Sequence, residues 1–289
     1  MPPATHRAVL PGGYVRPLPA VTVPFHFVPQ YELAVCLGDA RHPATTTGEG
    51  IGDLPAITEH LRGPERGRPS DFRTRGRYSG IASSAFARLM RGWPGLTAPD
   101  VMRDHVTRKT PRDYETFRRM RPGDRYRDAI GIAEERFALL LEERRRKAVD
   151  VPVEGTPAYE ELRRSVIPPY PIDKFADKWR KMDPLLPVWT IPAHLAKDAY
   201  SHIHYDGMQA RTISVREAAR LQSFPDGFEF AGNMGDCFTQ IGNAVPPLVA
   251  WSIAYHLLGL LGLPRGHAPA FGPPLDRLEH RRPSTSHRG

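Results

Sequence analysis

Cysteine is nearly missing: Cys36 and Cys237 are the only two in the chain. Two thiols so far apart in sequence cannot build a zinc cluster, and they suggest no disulfide framework. A reducing, intracellular setting fits that usage. Long apolar runs are also missing. The longest, Leu248 to Leu263, is broken by Ser252 and His256 and is short for a membrane span. Met1 to Pro11 holds no apolar core of signal-peptide length and no small-residue cleavage site. No membrane is therefore expected as a partner, and a soluble, cytoplasmic protein is the reading. Acidic residues fall short of basic ones, 32 against 40, which leaves a formal charge of +8 and a pI near 9.7. That balance favours a polyanion such as nucleic acid over an acidic protein or a neutral small molecule.

With 289 residues and 40% hydrophobic content, most of the chain has material for a buried core. Residues 1–20 are rich in Pro and Gly and read as a flexible lead-in. Val21 to Phe27 and Tyr31 to Leu37 have strand composition, with Pro24 confining the first to an edge or a bend. Ala44 to Pro55 is a turn-rich joint, and Thr47 to Leu54 has room for one helical turn. Residues 62–77 carry Arg62, Arg66, Arg68, Arg73, Arg75 and Arg77 among Gly, Pro and Ser. They read as a solvated loop or as a loop tracking phosphates. Short helices are expected over Ser83–Arg91 and Arg112–Met120, and a long one over Asp128–Ala148. The cationic end of the long helix suits the helix dipole. Pro168-Pro169-Tyr170-Pro171 is a break, and residues 263–289 have the composition of a disordered tail.

Two late stretches carry the most information. Ser214-Val215-Arg216-Glu217 is a capping box, and Phe224-Pro225 ends the helix it starts. Arg216 and Arg220 lie four apart on one face, placed to brace a neighbouring domain or to meet phosphates. Gln240 to Pro247 reads as a tight small-residue loop opening a helix, with Pro247 in the first turn. Gly242 and Ala244 there permit close backbone approach to a ligand, although for the isolated motif a simple structural cap is the default reading. The run after it, Leu248 to Leu261, is apolar nearly all round and should be buried between layers.

Taken together, Arg211-Thr212-Ile213-Ser214-Val215-Arg216-Glu217-Ala218-Ala219-Arg220-Leu221-Gln222-Ser223-Phe224-Pro225-Asp226 and Gln240-Ile241-Gly242-Asn243-Ala244-Val245-Pro246-Pro247 resemble the ninth and tenth conserved blocks of the DNA cytosine-5 methyltransferases. Trp189 to Asp206 is similar to the segment by which bacterial members leave their target-recognition region, and Thr47 to Pro55 to the joint that precedes it. The resemblance covers roughly residues 20–262 and implies an α/β fold. It implies strands entering from the catalytic domain (21–40), an irregular target-recognition region (41–190), and the closing helices of a Rossmann-like methyltransferase domain (191–262) that is incomplete in this chain.

The resemblance also implies roles. Arg216, Glu217 and Arg220 would orient the recognition domain. Asn243, Ala244 and Val245 would form one wall of an S-adenosylmethionine site. Thr190, His194 and Lys197 would contact double-stranded DNA. In that family the target cytosine is flipped out of the duplex, and the cysteine of a Pro-Cys pair adds to ring carbon six before the methyl group reaches carbon five. Neither Cys36, in an apolar strand-like run, nor Cys237, with no proline before it, suits that task. The Gly-rich cofactor loop and the Glu-Asn-Val block have no counterpart here.

No catalytic residue is therefore assigned. The expectation is half of a split or truncated enzyme from a bacterial restriction-modification setting. A separate partner chain would carry the nucleophile and share the S-adenosylmethionine. The alternatives are a non-catalytic DNA-binding remnant and a structural subunit that binds no DNA. His194, His202, His204 and Asp206 compose a possible metal set. The resemblance runs through them, its family needs no metal, and none is assigned.

Overall fold

The computed structural model describes residues 6–7, 42–62, 76–78, 80–172 and 178–264. The strand expectations over 21–37, Cys36, most of the arginine loop and the tail after 264 lie outside them. Within the described residues the fold is helix-rich with small strand pairs. β1 (His6–Arg7) pairs in parallel with β2 (His42–Pro43), and β3 (Gly76–Arg77) pairs antiparallel with β4 (Val101–Met102). Eight α-helices are seen: α1 (Thr47–Ile51), α2 (Ala85–Arg91), α3 (Tyr114–Arg119), α4 (Tyr126–Arg146), α5 (Pro157–Arg164), α6 (Val215–Leu221), α7 (Met234–Asn243) and α8 (Pro247–Leu260). None of the described helices is long and apolar enough to cross a membrane.

Local chemistry explains most helix starts. Thr46 and Glu49 form a capping box on α1, and Ser84 accepts from the Ala87 amide on α2. Thr156 caps α5, whose first residue is Pro157, where a missing amide costs nothing. Ser214 and Glu217 form the capping box on α6 as the sequence indicates, and Asn233 with Asp236 does the same for α7.

Three differences from the sequence reading follow. Gln240 to Asn243 is the last turn of α7 rather than part of a loop, which leaves only Ala244 to Pro246 as the connection. The Asn233 cap sets that helix going well upstream of the motif. Helix α5 went unexpected, although Thr156-Pro157 followed by Glu160 is a helix-start signal. And α8, expected to be buried, is exposed: Val249, Ile253, Leu257 and Leu260 are 40–67% accessible, because no described element covers that side.

Among the described residues, two hydrophobic cores organise the fold. One gathers Ile51, Leu54 and Met102 with Ile213, Val215, Ala218, Phe238 and Ile241, and so packs α1, α6 and α7 together. The other packs α3 against α4 through Phe117, Ala129, Ile130, Ala133 and Phe137, with Trp179 at its centre. Trp179 stacks on Tyr200 at 4.9 Å and tilts against Phe117 at 5.1 Å. Its φ of 56° is rare for a bulky residue and is held by this packing. Both cores draw on residues from either side of position 190. The link between them is Ile203, which bridges to Lys181 on one side and to Thr212 on the other.

Candidate functional site

Helix α6 carries charge in an unusual place. Arg216, Glu217 and Arg220 are each at most 1% exposed, on a helix of two turns. Buried charge is tolerated only when paired and hydrogen-bonded, and each of the three is. Glu217 accepts two bonds from Arg211, at 2.6 and 2.7 Å, and one from the Ser214 amide at 2.7 Å. Burial alone would raise its pKa. The Arg211 charge and its hydrogen bonds outweigh burial and hold the carboxyl well below the usual carboxylate range.

Arg220 donates to Asp226 at 2.5 and 2.6 Å, to Asp53 at 2.8 Å and to the Gly50 carbonyl at 3.1 Å. Asp53 also accepts from Arg91 at 2.6 Å, and Asp226 from the Tyr78 hydroxyl at 2.7 Å. Burial, with Asp226 beside it, raises the Tyr78 pKa. Arg216 donates to the carbonyls of Arg103, Pro225 and Phe228 at 3.3, 3.4 and 3.1 Å. These bonds tie α6 to α1, α2, the strand end at Arg103 and the turn after Pro225. Of the two roles open to Arg216 and Arg220, bracing is the one their contacts serve, since both guanidinium groups are enclosed in protein.

Thr190, His194 and Lys197 share one exposed stretch of chain. It is anchored from below. Leu195 is fully buried, Arg108 donates to the carbonyls of Leu195 and Ala196 at 3.3 and 2.6 Å, and the Trp189 indole donates to Ser201 at 3.1 Å beneath the Arg180 guanidinium. Residues 193–196 form a 3-10 turn whose neighbour is α7. At the closest point, a Cβ on Gly242 would lie 2.3 Å from the Ala193 nitrogen. The freedom of this glycine is thus used against protein backbone rather than against a ligand.

Asn243, Ala244 and Val245 follow directly, so the two candidate surfaces adjoin at Gly242 and Ala193. Asn243 and Val245 are exposed, while the Ala244 carbonyl accepts from Gln222 at 3.1 Å. The Leu248 amide donates to Ser223 at 3.1 Å, which fixes the start of α8 on the end of α6.

A Gly242→Ala replacement should therefore cost about 1–3 kcal/mol, because backbone on both sides leaves the methyl nowhere to go. Gly131→Ala on α4, where a Cβ meets nothing within 4 Å, should instead gain about 0.5–1 kcal/mol from helix propensity. Paired urea unfolding curves would show the opposite signs. A neutral Gly242→Ala would contradict the close packing of α7 on the 3-10 turn.

The histidines do not converge. His202 meets the Ser201 hydroxyl at 2.9 Å and the Trp189 ring, while His204 stacks on Tyr205 at 4.4 Å. Among the described residues no group of three His, Cys, Asp or Glu side chains has the arrangement of a metal site. Burial pushes both rings down to about 3. His204 lies 3.6 Å from Glu217, too far for an ordinary hydrogen bond, and after burial the charge of Arg211 also helps to keep its ring neutral. Cys237 is wholly buried in α7, its sulfur 3.7 Å from the Ala231 carbonyl. Thiolate attack needs an accessible sulfur, which this is not.

Residues 112–259 match the family described as C-5 cytosine-specific DNA methylase, and the chain belongs to that family. An Oceanobacillus iheyensis protein carrying a type II methyltransferase designation, M.OihORF3336P, is 40% identical over 210 residues, which are 72% of this chain and 43% of that protein. The type II methyltransferase M.AgeI of Thalassovita gelatinovora is 48% identical over 80 residues, 28% of this chain and 18% of its own length. The DNA (cytosine-5-)-methyltransferase M.ApeKI of Aeropyrum pernix is 37% identical over 123 residues, 38% of this chain and 25% of its own. The chain thus spans less than half the length of each of these relatives.

Proposed function

We propose that this chain provides the target-recognition and closing portion of a DNA cytosine-5 methyltransferase, and that polypeptide beyond these 289 residues, on a partner chain, supplies the nucleophilic cysteine and most of the cofactor cradle. One observation carries the reading. The apolar side of α8 stands open directly beside Asn243, Ala244 and Val245, and no described element covers it, which supports the reading that this edge is one wall of a site whose facing layer lies elsewhere. In this reading residues 41–190 are the recognition region and 191–262 the closing segment of a Rossmann-like domain. Asn243 offers a polar side chain and Val245 an apolar one at the open edge, which suits one side of an S-adenosylmethionine site. The bound cofactor would supply the methyl group. Thr190, His194 and Lys197 would face duplex DNA, and the braced α6 would hold the recognition region at a fixed angle to the cofactor wall. Cys237, buried in α7, has no part in the chemistry.

The test is transfer of labelled methyl groups to duplex DNA. The purified chain alone should give none. Adding a polypeptide that bears the Gly-rich loop and the Pro-Cys pair should restore transfer. Turnover by the chain alone, or a covalent adduct between Cys237 and a fluorinated cytosine, would overturn the proposal.

A further inference from the structure

A groove of about 490 Å³ lies between residues 106–110 and 197–200, on the flank of the stretch that carries Thr190 and His194. We propose that this groove grips a phosphodiester of the DNA backbone, with Lys109, Thr110 and Thr212 as its new contacts. The inference rests on the DNA-binding reading above and extends it to a segment that no sequence motif marked.

The groove has an excess of unspent positive charge. Lys109 and Lys197 are exposed, and neither makes a side-chain hydrogen bond or ion pair with another described residue. The carboxylate in the groove, Asp198, is already occupied by Lys178 at 2.8 Å. Arg108 spends one terminal nitrogen on the carbonyls of Leu195 and Ala196 and leaves its Nε–H without a partner.

The second observation is independent of charge. Thr212 is 1% exposed and lines the groove, yet its hydroxyl has no hydrogen-bond partner, and the hydroxyl of Thr110, which also lines the groove, is in the same state. A buried hydroxyl left unmatched costs free energy. Two such hydroxyls with two exposed ammonium groups and no free carboxylate form a set of donors without an acceptor. A phosphodiester is the matching partner: a single negative charge spread over oxygens that accept several bonds at once. A backbone phosphate carries no base identity, so these contacts should set register and affinity without reading sequence.

The experiment measures duplex affinity of the full chain against salt. For the unaltered chain, binding should weaken as salt rises. Lys109→Gln should lower the slope of log affinity against log salt by about 1, equally on duplexes of unrelated sequence. Thr212→Val, nearly the same shape, should leave thermal stability unchanged or higher and lose about ten-fold in affinity without changing the slope. If the unaltered chain binds no DNA, the DNA reading itself fails and this inference with it. If it binds DNA and both variants match it in affinity and slope, the groove assignment alone is overturned. Inorganic phosphate serves as the second probe: saturation of the groove by phosphate with no effect of either substitution on DNA would assign the site to a small free anion and also overturn the proposal.

Discussion

Replacing Glu217 by glutamine is expected to remove about 3–5 kcal/mol of folding stability, the cost of leaving one member of a buried ion pair without its counter-charge. Arg211 is fully buried and gives two of its nitrogens to this one carboxylate. Glutamine keeps the shape and one acceptor oxygen but strands a guanidinium charge that is 0% exposed. The same side chain closes the capping box through the Ser214 amide, so the start of α6 loosens as well. Since α6 is the element joined to α1, α2 and the turn after Pro225, the loss should appear as one cooperative shift of the urea midpoint rather than as local fraying. Removing both charges together, as Arg211→Met with Glu217→Leu, should recover much of the stability, because a buried pair is worth little more than well-packed apolar groups of the same volume. An unchanged midpoint for Glu217→Gln would show that Arg211 finds another partner and that the pair does not hold the helix.

Mild acid should also unfold the protein early, for a different reason. His202 and His204 are held neutral in the fold, with their pKa values pushed down to about 3 by burial. In the unfolded chain each titrates near the ordinary value of about 6.5. Between those values the unfolded state binds more protons than the folded state, so stability falls as pH falls. The contribution is complete above about pH 6.5 and is lost progressively down to about pH 3. For two such rings the loss by about pH 5 amounts to about 4 kcal/mol. His105, lowered by burial and likewise enclosed, acts in the same direction. Glu217, whose pKa is also depressed, adds its own loss only at lower pH, as its carboxyl begins to protonate. Urea midpoints measured from about pH 7.5 to about pH 5 check the slope. A flat profile over that interval would mean that the two rings gain protons in the folded state.

Some of this was legible in the sequence because it is local. The capping box of Ser214 and Glu217, the long helix found over Tyr126–Arg146 and the short helix over Ala85–Arg91 follow from neighbours a few residues apart. The candidate surfaces were suggested only through resemblance, and only as stretches of chain: nothing in Thr190, His194 or Lys197 alone marks them as exposed. What depends on distant partners was not legible. Arg220 is a bracing residue because Asp53, far back in the sequence, comes to it, and no periodicity reveals that pairing. Helix α7 was obscured because Gly235 and Gly242 weaken its helical pattern, although Asn233 and Asp236 mark its start. The basic groove is invisible along the chain, since its walls come from residues 106–110, 197–200 and Thr212 and meet only through tertiary packing.

The contact of Gly242 with Ala193 has a mechanical meaning. Where side chains separate two elements, a small displacement of one is absorbed by rotamer changes in between. Here main chain rests on main chain, with no such cushion. The turn that presents His194 and Lys197 and the helix end that presents Asn243 therefore cannot shift independently. In the proposed DNA-bound arrangement, a duplex pushing on the first would be felt at the second.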